Sequence, residues 1–177
     1  MTATIRRAVP DDLEAVVAVG RLTWPATYAT IAGDDYVQMG LAKWWTPEET
    51  RPLVDSGRTF VAEVAPDEST DASPKIIGIA STGLLGKEVA LYRLYVLPDY
   101  HGQGLGSRLL EAVLEDIGRG SHTRLWLSYL EGNESAERFY AKHGFVEQRR
   151  ESSGPGIPDS IWLMRELEVQ DAGGDLT

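Results

Sequence analysis

The stretch Leu91-Tyr92-Arg93-Leu94-Tyr95-Val96-Leu97-Pro98-Asp99-Tyr100-His101-Gly102-Gln103-Gly104-Leu105-Gly106-Ser107-Arg108 decides how the rest of the chain is read. Its first half is apolar and aromatic, as a strand requires, and Pro98-Asp99 ends it as a turn. Glycines then alternate at Gly102, Gly104 and Gly106, and a helical pattern opens at once, with Leu105, Leu109, Ala112, Val113 and Ile117 on one face. A strand, a glycine loop and a helix start together suit a pyrophosphate. Glycine lets the backbone approach the anion, and the first N–H groups of a helix have no partners of their own. An ordinary connecting loop can have the same composition, so the loop alone decides little.

Composition narrows the classes. The chain has 177 residues, 42% apolar and 25% charged, which suits one folded domain and not a disordered chain. The absence of cysteine excludes disulfides, thiolate metal sites and cysteine nucleophiles together. Acidic residues outnumber basic ones by 27 to 17, for a net charge of −10, whereas a nucleic-acid binder needs a basic face. The acid excess is compatible with a cationic substrate such as an amine, and equally with a role in solubility. His101, His122 and His143 are far apart and form no paired helical motif, so no metal is expected. No leader-like apolar segment opens the chain and no run approaches a membrane span. The expectation is a soluble, cytoplasmic protein without membrane contact.

Along the chain, a strand is expected over residues 4–9, and Pro10-Asp11-Asp12 caps a helix striped by Leu13, Val16, Val17 and Gly20. That helix is expected to stop before Pro25, since the residue preceding a proline is pushed out of the helical region. Residues 24–31 then read as a loop bearing Trp24 and Tyr28. A second helix follows from Gly33-Asp34-Asp35 to Trp44-Trp45, and Thr46-Pro47-Glu48-Glu49 caps a third, bounded by Pro52 and Gly57. Beyond Gly57 the period shortens. Strands are expected over 59–64, 75–80 and 88–96, the first two forming a hairpin with a polar, mobile tip at 66–74.

After the glycine loop and its helix come a strand at 123–129 and a helix opened by Gly132-Asn133, with Ala136, Phe139 and Tyr140 inward. Strands at 145–149 and 160–165 close the fold. Residues 169–177 read as a disordered tail, leaving a single domain over 1–168. The order is β, three helices, βββ, α, β, α, ββ. It implies an α/β (α+β) domain with a mixed, mostly antiparallel central sheet of about seven strands and helices on both faces.

Two segments of the chain carry a family resemblance. Leu94-Tyr95-Val96-x-Pro98 followed by His101-Gly102-Gln103-Gly104-Leu105-Gly106 resembles the acetyl-CoA motif of the GNAT-superfamily N-acetyltransferases. Asn133-Glu134-Ser135-Ala136-Glu137-Arg138-Phe139-Tyr140, with Gly144-Phe145 after it, is similar to the second motif of that family. The resemblance implies a GNAT-like fold and transfer of an acetyl group from acetyl-CoA to a primary amine of a small molecule or peptide, with no metal. It implies that the backbone of Leu94, Tyr95 and Val96 meets the pantetheine, and that Gly102, Gln103, Gly104, Leu105, Gly106 and Ser107 surround the pyrophosphate. Arg108 is expected to add positive charge there. Asn133 serves the pantetheine arm, the helix cap, or both. Tyr140 is implied as the general acid for the leaving thiolate, although by pattern alone it reads as a core tyrosine.

Some positions depart from the family pattern. His101 stands where the family usually has Arg or Gln. The positions of the usual glutamate base read Ala90 and Ser128, so Glu88, two residues before Ala90, is nominated as the base, with Glu131 and a water relay as alternatives. Trp24, Tyr28, Asp34, Asp35, Tyr36, Trp44 and Trp45 lie in the region that covers the acceptor in this family, Trp24 and Tyr28 being the nominated contacts. A dinucleotide fingerprint would need Gly or Ala where Ser107 stands, and no Gly-Lys-Ser/Thr follows for a P-loop. A catalytically weak acyl-CoA-binding regulatory module remains the alternative. A homodimer is compatible with the aromatic helices and final strands, and no pattern commits to one.

Overall fold

The computed structural model of the protein describes residues 3–66 and 73–167. The tip of the expected hairpin loop (67–72) and the expected tail lie outside them. Seven strands, β1 (Ala3–Arg7), β2 (Thr59–Val64), β3 (Lys75–Leu85), β4 (Glu88–Val96), β5 (Arg124–Leu130), β6 (Val146–Glu151) and β7 (Ser160–Glu166), form one sheet in the order β1-β2-β3-β4-β5-β7-β6. Every neighbouring pair is antiparallel except β4 and β5. The mixed, mostly antiparallel sheet expected from the element order is therefore present.

The parallel pair makes the site possible. β4 and β5 are in register only at Val89 with Leu125 and Ala90 with Trp126. Beyond those residues the strands separate, so 91–96 and 127–130 have free edges facing each other. Unpaired strand edges need hydrogen-bond partners from elsewhere, and a ligand with amide groups can supply them. β4 is also bulged against β3, since Ser81 faces Arg93 while Thr82 faces Leu91, leaving Tyr92 as the extra residue.

The N-terminal helices differ from expectation. α1 (Leu13–Trp44) runs straight through Pro25, and its break is at Gly33, with φ 80° and ψ 171°. The expected loop at 24–31 is helical. Proline forfeits one helix hydrogen bond and crowds the preceding turn, a cost of about 3 kcal/mol. Trp24 and Tyr28, one turn apart, are both buried. Aromatic side chains bury about 150–250 Å² each, roughly 4 kcal/mol or more apiece, so core packing outweighs the proline penalty. The break falls at Gly33 because a positive φ is a glycine conformation.

Two glycines set how the halves of α1 close. Trp45 packs on Gly20 and Trp24 on Gly40, each indole filling the space that a Cβ would occupy. α2 (Pro47–Asp55) is capped as expected, with Thr46 Oγ1 accepting from Glu49 N at 3.3 Å, but Pro52 lies inside it and does not bound it. α3 (Leu105–Gly118) and α4 (Glu134–Lys142) occupy their expected places. The core lies between sheet and helices, with Ile77, Ile79, Leu109, Leu110, Leu125 and Leu127 fully buried. No helix among the described residues is long and apolar enough to cross a membrane.

Candidate active site

A cleft of about 1130 Å³ enters the sheet where β4 and β5 part. It exceeds the usual span of a drug-sized pocket, roughly 300–1,000 Å³, which leaves room for a long ligand and a second small one. One wall comes from β4, the glycine loop and the start of α4; the other comes from α1 and α2.

The glycine loop is shaped to receive an anion. Gly102 and Gly104 have φ of 76° and 73°, and a Cβ at either would meet nothing within 4 Å. The surface above them is therefore open, and the glycines are there for backbone conformation. The N–H groups of residues 102–107 have no backbone acceptor, since the first such bond of α3 is Arg108 N to Gly104 O at 3.1 Å. These free donors at a helix N-terminus fit a pyrophosphate. His101 Nε2 donates to the Val96 carbonyl at 2.8 Å, tying the loop to the end of β4.

Of the expected contacts, Leu94, Tyr95, Val96, Gly102, Gly104, Leu105, Gly106, Ser107, Asn133 and Tyr140 all line the cleft, as do Trp24 and Tyr28. Asn133 caps α4, with Oδ1 accepting from Ala136 N at 3.1 Å. Five expected participants are elsewhere. Gln103 and Asp34 are exposed and off the wall, as is Asp35. Arg108 sends its guanidinium to the Ala3 carbonyl at 2.9 Å, because one helical step beyond Ser107 turns its side chain toward β1. Glu88 is also off the wall. It stands seven residues before Tyr95, roughly 20 Å along the strand, paired with Leu85 of β3, and its nearest opposite charge is Arg124 at 3.8 Å.

Where the walls meet, phenols converge. The hydroxyl oxygens of Tyr28 and Tyr95 are 3.4 Å apart. Burial pushes the Tyr140 phenol well up, and the nearby Tyr28 adds to this. Tyr95 is raised by burial and then by Tyr28, Tyr140 and Tyr36. Tyr28 is raised by burial against the opposing bond to Tyr95, and Tyr36 is pushed up to about 12 by burial and Tyr28. Beside them, Arg93 stacks on Trp45 with its guanidinium carbon 4.2 Å from the ring centroid, and donates to Thr50 Oγ1 and the Trp44 carbonyl. Burial lowers its pKa to about 10, offset in part by Tyr95 and Glu49.

The phenol cluster predicts an alkaline weakness. Tyrosine in an unfolded chain ionises near pH 10. The phenols of Tyr28, Tyr36, Tyr95 and Tyr140, each raised chiefly by desolvation, hold their protons to higher pH. Above pH 10 the unfolded chain thus binds fewer protons than the folded one, and stability falls with rising pH, by up to about 1.4 kcal/mol per unit for each phenol. Urea midpoints should show no phenol contribution up to about pH 9 and a steep fall between about 10 and 11.5. A flat profile across that window would show these phenols to be solvated.

Sequence reasoning missed Arg93, Glu49 and the side chain of Tyr95. Arg93 left a readable signal, a lone charge in an apolar strand. Glu49 left none beyond its role in the first turn of α2. Tyr95 was assigned for its backbone, and only the bulge at Tyr92 and the packing of α1 show where its ring goes.

Known proteins resemble this chain in sequence and in fold. An N-acetyltransferase of Mycobacterium tuberculosis, itself uncharacterized, is 42% identical over 59 residues, which are 33% of this chain and 38% of that protein. The chain therefore matches well under half the length of that relative. The spermidine N(1)-acetyltransferase of Thermoplasma acidophilum is 23% identical over 153 residues, covering 86% of this chain and 94% of that one. The crystal structure of the PaiA N-acetyltransferase from Thermoplasma acidophilum in complex with coenzyme A superimposes with a TM-score of 0.76 at 21% identity, over 94% of this chain and 99% of that chain. The sequence model of the acetyltransferase (GNAT) domain matches residues 55–147, which hold β2 to β5, the glycine loop and α4, and with more than half of its length so matched the chain belongs to the GNAT acetyltransferase family.

Proposed function

We propose that the protein is an acetyl-CoA-dependent N-acetyltransferase acting on a primary amine, with Tyr140 as the general acid. The observation that carries this reading is one continuous cleft. It joins the open glycine loop and free strand edges, suited to a pyrophosphate and a pantetheine arm, to a protonated tyrosine cluster. Acetyl-CoA supplies an acetyl group activated as a thioester.

The residues divide the work. The N–H groups of residues 102–107 take the pyrophosphate, and the freed edge of Leu94, Tyr95 and Val96 takes the pantetheine amides. Asn133 serves chiefly as the cap of α4 and thereby fixes Tyr140, two turns on, at the cleft. The amine nitrogen forms its bond to the acetyl carbon as the carbon–sulfur bond breaks. Tyr140 Oη gives its proton to the departing sulfur and is restored by the proton that the nitrogen loses. Burial suits Tyr140 to this role, because it keeps the proton on Oη throughout the neutral range.

A base of ordinary strength is not required. Glu88 is remote from the cleft, and an amine moved out of water into a phenol-lined pocket loses its own proton more readily. The test is release of free CoA with a panel of primary amines, alongside calorimetric binding of acetyl-CoA. Turnover of at least one amine is expected. Tight acetyl-CoA binding without turnover of any amine would replace this reading with a regulatory acyl-CoA-binding module.

A further inference from the structure

The acceptor wall of the cleft is aromatic and nearly without available charge. Trp24, Tyr28, Tyr36 and Trp44 stand together with ring centroids 4.2 to 6.3 Å apart, and Tyr95 links them to Tyr140. Trp24 and Tyr28 are buried, whereas Tyr36 and Trp44 are half-buried and keep surface for a ligand.

Several polar groups on this wall are already used, although the buried indole N–H of Trp24 has no hydrogen-bond partner. Thr23 Oγ1 donates to the Val19 carbonyl and Thr27 Oγ1 to the Thr23 carbonyl, each at 2.8 Å. Arg93 is committed to Thr50 and the Trp44 carbonyl, and the Ser160 hydroxyl pairs with Ser153 at 2.8 Å. In a chain with 27 acidic residues, Glu49 is the one carboxylate on the cleft wall among the described residues.

Each acceptor class makes a different demand on such a wall. A polyamine carries two or more ammonium groups and needs spaced carboxylates to replace their hydration. An amino acid brings a carboxylate that needs a free cation. An aromatic body needs only ring faces and edges, which this wall offers in quantity.

We propose that the acceptor is an arylalkyl primary monoamine whose ring seats against Tyr36 and Trp44 and whose nitrogen reaches Tyr95 and Tyr140. The proposal rests on the acetyl-transfer reading above and narrows its acceptor. The transfer step is unchanged, giving the N-acetyl arylalkylamine and free CoA.

The test uses the full chain with saturating acetyl-CoA and measures kcat/KM for 2-phenylethylamine, hexylamine, spermidine and an alanyl tripeptide. The value for 2-phenylethylamine should exceed that for hexylamine by about ten-fold, the worth of one good aromatic contact, and those for the other two by more. Preference for spermidine or the peptide overturns the proposal and leaves acetyl transfer standing. No turnover of any amine, with acetyl-CoA still bound, removes acetyl transfer and the proposal with it.

Trp44→Leu keeps the apolar bulk and the Trp44 backbone carbonyl on which Arg93 depends. It should lower kcat/KM for 2-phenylethylamine about ten-fold more than that for hexylamine. Equal changes for both amines overturn the ring seat. Tyr36→Leu, read in the same way, covers the case in which the melting temperature of Trp44→Leu shows a folding defect.

Discussion

Tyr140→Phe is expected to lower amine turnover by about 10²–10³-fold while acetyl-CoA binds as to the wild type. The substitution removes one oxygen and keeps the ring that packs on Phe139 and Phe145 at centroid distances of 5.2 and 5.5 Å. Stability should therefore stay near wild type, and the loss should appear in kcat with little change in KM. A departing thiolate without a proton donor must leave as the anion into a pocket poor in charge, which is why the effect is large. The wild-type pH profile provides an independent check. Burial holds the Tyr140 proton above the usual phenol range, so loss of the general acid should not limit turnover at pH 9 to 10, where a solvated tyrosine already begins to ionise. Turnover of the phenylalanine variant equal to wild type would rule out Tyr140 as the acid.

Gly20→Ala should destabilise the fold by about 3 kcal/mol, or about 10 °C in Tm for a domain of this size. The added Cβ would lie 1.8 Å from Trp45 Cε3 and 2.0 Å from Cζ3. Trp45 is 1% exposed and cannot swing away. Its ring is covered by the Arg93 guanidinium and edged by Tyr95 at a centroid distance of 5.5 Å. Helix propensity pulls the other way, since alanine gains about 1 kcal/mol over glycine, but the overpacking term is the larger. Moving Trp45 would also disturb Arg93 and Tyr95, so activity should fall with stability. Thermal melting decides the matter, and a midpoint at or above wild type would mean that Trp45 does not pack on α1 as described.

Both variants act on contacts that differ in how far the sequence reveals them. Tyr140 was nominated through the family resemblance, seven residues after Asn133, although by local pattern alone it reads as a core tyrosine of a short helix. Gly20 was read only as part of an apolar stripe, and nothing in the chain near it names its partner, Trp45, a full helical hairpin away. The same contrast explains Pro25. Local rules end the helix there, and they are correct about the local cost; the burial of Trp24 and Tyr28 that reverses the outcome depends on strands and helices distant in sequence. Arg108 and Glu88 were misplaced for a related reason. Adjacency to a motif carries over to the site only when helix rotation and strand length permit it, and both take these side chains away.

By itself, the sequence determined the order of strands and helices, the mixed sheet, the glycine loop and the two motifs that mark the family. Apart from the family resemblance that the two motifs carry, these features come from short-range periodicity, turn chemistry and the backbone freedom of glycine, all of which act within a few residues. Only the tertiary structure decided the course of α1, the placing of Arg93 and the Tyr95 ring, and the aromatic, charge-poor character of the acceptor wall. Those features arise where residues from α1, α2, β4 and α4 meet, and their burial energies depend on neighbours that no local pattern can name. The glycine loop read first in the sequence is open and keeps unpaired N–H groups, as a pyrophosphate seat requires, while the phenols across the cleft from it became visible only on folding.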